Sequence, residues 1–91
     1  MTSRERINAA FDHRAADRIP FSELVIDNRC AEAILGRETP LHNDPLWLDG
    51  LADGNWEELV AREARDRIDL ALAASLDWIS VDQNYPAAFR P

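Results

Sequence analysis

Carboxylates and guanidinium groups are the plentiful chemical side chains of this sequence. Glu23 and Asp27 stand four residues apart near the end of an apolar run, a spacing at which two carboxyl groups could divide acid and base roles. Arg29 follows, with a planar fork suited to gripping a substrate carboxylate bidentately. Asp82 closes a second apolar stretch and is a further carboxylate that could serve acid–base chemistry. Helix capping explains Asp27 more simply than catalysis does, and an ion pair with Glu32 competes for Arg29. Glu23 and Asp82 are therefore the candidate catalytic residues, and Arg29 is the candidate substrate-binding residue.

Other chemistries are narrowed by what the chain lacks. All ten basic residues are Arg, so no Lys is present to form a Schiff base or act as a general base. Cys30, His13 and His42 are the soft metal ligands, and they fall on three separate segments without metal-ligand spacing. No metal site is expected within the chain, and His13 reads as a side chain that bonds a carbonyl at a helix end. A single cysteine cannot form an intrachain disulfide, which suits a reducing cytoplasmic setting. A net charge of −7 opposes nonspecific binding to nucleic acid or to an anionic membrane, since both need positive charge on the protein. The longest apolar run, Leu70 to Ala74, is far short of the roughly 20 residues of a membrane span.

The elements that must position these residues can be read from caps and periodicity. Thr2 and Glu5 have capping-box spacing, and Ile7, Ala10 and Phe11 share a face, which predicts a helix from about Ser3 to Asp12. Asp17 and Arg18 are expected to pair locally. Pro20 disfavours helix at Ile19, and the β-prone residues that follow predict a strand over Ile19 to Ile26. Asp27 is placed to cap a second helix that Gly36 ends in the left-handed conformation. Asp44 before Pro45 predicts a third helix through Ala52. Asn55 and Glu58 repeat the capping-box spacing, and Trp56, Val60, Ala64, Ile68 and Leu72 recur at i+4 steps, predicting a long helix to Leu76. Glu58 with Arg62 and Glu63 with Arg67 are favourably ordered pairs. Trp78 to Asp82 alternates as a second strand. Trp47, Trp56 and Trp78 each belong to an apolar face and read as packing anchors.

Two stretches in this order resemble a known family. Arg4-Glu5-Arg6-Ile7, Ala10-Phe11-x-His13 and Ala16-Asp17-Arg18-Ile19-Pro20 resemble the opening of the uroporphyrinogen decarboxylase superfamily. Arg67-Ile68-Asp69-Leu70-Ala71-Leu72 leading into Leu76-Asp77-Trp78-Ile79-Ser80-Val81 resembles its later helix-to-strand step, with Ser75-Leu76 where a Gly is usual. The resemblance implies an α/β fold, the N-terminal portion of a (β/α)8 TIM barrel, mostly helical in this segment with two short strands. A barrel takes about 250 residues, so residues 1–91 would form a single partial domain. On that fold Asp82, at the C-terminal end of a strand, would face the pocket where catalytic groups gather.

The superfamily includes porphyrinogen decarboxylases and methylcobalamin-dependent methyltransferases. The decarboxylase proper carries an Arg-Gln-Ala-Gly-Arg element after its first strand. Here the corresponding stretch, Glu23-Leu24-Val25-Ile26-Asp27-Asn28-Arg29, keeps only Arg29 as a comparable charge, which favours the methyltransferase branch. Zinc and a corrinoid are implied for a complete enzyme of that branch, but the family's His and Cys ligands lie later in its sequence, so no cofactor is expected within this chain. The resulting expectation is an N-terminal segment of a uroporphyrinogen decarboxylase-like enzyme, inactive alone, acting on a small molecule when complete. Its partner would be a complementary barrel segment or a second copy. The alternative is a stand-alone acidic helical module for protein interaction, which the many caps and the long helix support.

Overall fold

Side-chain caps mark the start of three of the four helices among the described residues. The computed structural model describes residues 1–23 and 25–80, and these contain helices α1 (Ser3–Phe11), α2 (Asn28–Leu35), α3 (Asp44–Asp53) and α4 (Trp56–Ala73). The Thr2 hydroxyl accepts the Glu5 N–H at 3.1 Å and donates to the Glu5 carboxylate, while the Asp27 carboxylate accepts the Arg29 N–H at 3.2 Å. Asn43, one residue earlier than expected, caps α3 by accepting the Leu46 N–H. Asn55 makes no side-chain cap to α4. There Glu57 and Glu58 in the first turn provide the negative charge that a helix N-terminus favours. Gly36 ends α2 and Gly54 ends α3, both in the left-handed region. The long helix stops at Ala73, three residues before the expected end. Ser75 turns to φ 57°, and the Leu76 N–H closes back onto the Ala71 carbonyl.

Helix α4 is the hub: α2 and α3 both pack against it. Ala31 of α2, Leu41 of the connecting loop and Leu70 of α4 form the buried cluster, with Ile26 and Leu35 packed at its edge. Burying a Leu side chain is worth about 1.5–3 kcal/mol, so this small cluster is a thin foundation. A second contact joins α3 to α4, where Trp47 and Trp56 meet edge to face with ring centroids 5.0 Å apart. The Trp47 indole N–H also donates to the Pro40 carbonyl at 2.7 Å. Trp78 lies half exposed instead of packing in a core.

Polar bonds fasten the α2–α3 loop to the hub. Asp66 of α4 is 1% exposed and accepts from the Thr39 hydroxyl at 2.7 Å and from Arg37, which also reaches Asp69. Asn28 donates to the carbonyls of Thr39 and Leu41, and Glu32 accepts the Thr39 N–H. Glu32 is thereby committed to this loop and does not form the expected pair with Arg29. Likewise Glu63 pairs with Arg67 at 3.1 Å, but Arg62 reaches across to Glu38.

The expected α/β portion of a TIM barrel is not what these residues form. Among the described residues every regular element is a helix, and neither Ile19–Ile26 nor Trp78–Asp82 appears as a strand; Leu24, Val81 and Asp82 lie outside the described residues. The two stretches do meet, but through one backbone bond, from the Asp77 N–H to the Phe21 carbonyl at 2.7 Å. Side chains occupy the neighbouring positions. The Phe21 N–H donates to the Asp77 carboxylate, and the Ser22 hydroxyl donates to the Trp78 carbonyl. A strand pair needs a repeating ladder and an apolar face covered by another layer. Here Ile19 is 86% exposed and Val25 59% exposed, so β-prone composition meets no surface that would reward pairing.

Candidate functional site

Glu23 reaches a region where the fold gathers unlike chemical groups. With His42, Arg67 and Ser80 it lines a small cleft floored by apolar side chains that include Leu41 and Leu70 of the core. His42 is carried there by the loop that Thr39, Asn28 and Arg37 fasten to the helices, and its backbone sits in the left-handed region at φ 51°. That conformation is uncommon for a residue with a side chain and is retained where surrounding bonds enforce it. Arg67 is held by Glu63 and by the Ser80 carbonyl at 3.1 Å, so α4 and the segment after it meet at the cleft.

A carboxylate, an imidazole and a guanidinium could together move a proton and hold an anion. The cavity is about 40 Å³. At about 10–15 Å³ per water on this measure, that is room for roughly three or four water molecules and too little for a small-molecule substrate. The cleft has the composition of a site without the volume of one.

The sequence candidates are thus dispersed. Glu23 lines the cleft, Asp27 caps α2, and Arg29 is exposed on α2 away from the cleft lining. Asp82 lies outside the described residues. His42 and Arg67 were not singled out as a pair because they are 25 positions apart in the sequence and only the α2–α3 loop brings them together. The left-handed backbone at His42 has no local signal such as Gly.

A second cluster, centred on Asp77, was equally hidden. Its side chain has no exposed surface and accepts five hydrogen bonds: from the Phe21 N–H at 2.7 Å, the Ser3 hydroxyl at 2.9 Å, both Arg18 terminal nitrogens and Arg6 Nη1. The Phe21 N–H, followed by the Ser3, Arg18 and Arg6 donors, outweighs desolvation and holds the carboxyl well below the usual carboxylate range. Arg6 also forks onto Asp17 at 2.7 and 3.1 Å, holding Asp17 at about 2. Asp17 and Arg18 therefore do not pair through their side chains; Asp17 accepts the Arg18 N–H, and the Arg18 guanidinium goes to Asp77. The cluster fastens α1 to the segment after α4.

Beside this cluster lies an apolar groove of about 490 Å³, walled by Ile7, Ala10 and Phe11 of α1, by Ile19-Pro20 and by Trp78. An adjoining hollow shares Ala10, Ile19 and Pro20 and runs to Arg14 and Arg18. Phe11 is 79% exposed. Uncovered aromatic and aliphatic side chains clustered in this way mark interaction surfaces.

Comparison with family models, with curated proteins and with solved structures finds no match to this chain. The zinc and corrinoid implied by the resemblance would need donor side chains gathered at one place. Cys30 is exposed on α2, and no group of three His, Cys, Asp or Glu side chains among the described residues is arranged to hold a metal. The described residues do not gather such a centre. No helix among the described residues is long and apolar enough to cross a membrane.

Proposed function

We propose that this chain is a docking segment: the opening part of a uroporphyrinogen decarboxylase-like enzyme, of the corrinoid-dependent methyltransferase branch, without catalytic competence of its own. The observation that carries the reading is the meeting of its two family-like stretches. Arg6, Asp17 and Arg18 of the first form one polar cluster with Asp77 of the second, and the apolar side chains on either side stand uncovered. Residues spaced so far apart serve here to hold an apolar face in a defined shape, which is the work of a segment completed by another polypeptide. The cleft of Glu23, His42 and Arg67 would then be one wall of a site whose remaining groups come from that polypeptide.

The direct test uses a methyltransferase of this family truncated to lack its own opening segment. Co-migration with the purified 91-residue chain on gel filtration, with recovery of methyl transfer, is the expected result. A chain that stays monomeric, binds no anilinonaphthalene sulfonate (ANS) and ignores the truncated enzyme would sink the proposal. A second reading, a stand-alone acidic helical interaction module, is favoured by the helix-only regular structure of the described residues. It expects the same groove to bind an unrelated protein, and a cooperative thermal transition for the free chain.

A further inference from the structure

Residues 1–23 are tied to themselves more broadly than to the rest of the molecule. Arg6 of α1 forks onto Asp17, and the N-terminal ammonium reaches the same carboxylate. The Arg14 N–H closes onto the Ala9 carbonyl, so α1 and the stretch after it fold back into one body. Every wall of the apolar groove except Trp78 belongs to this body as well.

Its attachment is narrow. Among the described residues, its hydrogen bonds to the rest of the chain all fall on Asp77 and Trp78. Ser3, Arg6, Arg18 and the Phe21 N–H donate to the Asp77 carboxylate, the Phe21 carbonyl accepts the Asp77 N–H, and the Ser22 hydroxyl donates to the Trp78 carbonyl. Helices α2 and α3 pack against α4, whereas α1 shares no comparable interface with any of the three. Regions held by few packed contacts open at lower free energy than the whole fold. One carboxylate accepts most of the bonds that close this one.

The same body ends on the cleft. Glu23 forms one wall, and Leu76, Ile79 and Ser80, which bracket the attachment point, form another. The second wall is fastened to α4 at both ends, by the Leu76 N–H on the Ala71 carbonyl and by Arg67 on the Ser80 carbonyl. Among the described residues no hydrogen bond fastens Glu23 to α4. Behind these walls lie Leu41 and Leu70, 3% and 5% exposed. A cleft that holds only a few waters admits anything larger when a wall moves, and the Glu23 wall is the one free to do so.

We infer that residues 1–23 are a strap that opens as one body by releasing the Asp77 latch while α2, α3 and α4 stay folded, and that its opening uncovers the cleft of Glu23, His42 and Arg67. The inference goes beyond the docking reading and does not rest on it.

Native-state hydrogen exchange on the full chain provides the test. Leu59 of α4 is buried with its side chain against Gly50 of α3, so Leu59→Ala weakens the hub away from the strap. The α4 amides should then exchange at least about tenfold faster, while the α1 amides keep their wild-type rates, because the opening that exposes α1 leaves the hub folded. In Asp77→Ala the α1 amides should exchange at least about a hundredfold faster, since removing one partner of a buried ion pair strands the other, and the α4 amides should remain protected. Acceleration of α1 and α4 in step in Leu59→Ala means a single cooperative unit and overturns the inference. Loss of α4 protection together with that of α1 in Asp77→Ala overturns it too. Uncovering of the cleft is read from the methyl resonances of Leu41 and Leu70, which a neutral gadolinium chelate should broaden more strongly in Asp77→Ala than in the wild-type chain. Unchanged broadening beside fast α1 exchange would show that the strap opens without uncovering the cleft. None of these measurements involves a partner, so their failure leaves the docking reading untouched.

Discussion

At Asp77 five donors converge on a carboxylate with no exposed side-chain surface, and the fold should therefore lose stability in acid, where that carboxylate must be protonated on unfolding. Asp77 and Asp17 both hold folded values below the ordinary Asp value of about 3.9. The stability they contribute is complete above about pH 5 and is lost as pH falls through the ordinary Asp value toward the Asp17 value of about 2 and beyond. The urea midpoint should drop steeply across that window. Asp77→Asn should lower the midpoint at pH 7, because an amide offers two donors to a site already filled with donors, and should flatten the acid slope. An unchanged slope in the variant would assign the acid sensitivity elsewhere. Asp66 gives the same lesson: burial pushes its carboxyl up, but the Thr39 hydroxyl and Arg37 bring it below the ordinary value. Asp66 does not stand out among the 17 acidic residues of the sequence, and the bonds that distinguish both aspartates come from distant segments.

Among the elements, α1, α2 and α3 are legible from their caps. Thr2, Asp27 and Gly36 act within a few residues of themselves, so the order of side chains suffices to place them. The two expected strands were not recoverable in this way, because apolar alternation states only what could be buried and not whether anything arrives to bury it. Gly50 provides a test of element packing. It is buried in α3, and a Cβ added there runs into the Leu59 side chain, itself 3% exposed. Ala would improve helix propensity by up to about 1 kcal/mol but overpack the α3–α4 contact by about 1–3 kcal/mol. Gly50→Ala should therefore destabilise the chain by about 1–2 kcal/mol in chemical denaturation. A neutral or stabilising result would mean that α3 can shift on α4.

The described residues form a flat body. Its extents are 50 × 29 × 15 Å with a radius of gyration of 15.9 Å, against about 12 Å for a compact chain of this length. A slab one or two helices thick cannot cover both of its faces, which accounts for a core containing as much Ala as Leu. The exposed groove should consequently be dispensable for the stability of the free chain. Phe11→Ser/Ile19→Ser is expected to shift unfolding free energy by less than about 0.5 kcal/mol, as for other surface changes, while reducing ANS binding and association. A large loss of stability would show that these side chains are buried in solution.

The start of α1, both ends of α2, the acid balance and the identity of Glu23 as a candidate were determined by the sequence alone, because caps, charge counts and short spacings act over one or two turns. Tertiary structure decided what Glu23 would accompany, that Asp77 would bind Arg6 and Arg18, and that Ile19 and Val25 would face outward. Those outcomes depend on segments more than fifty residues apart meeting on a surface that only the packing of α2 and α3 against α4 creates.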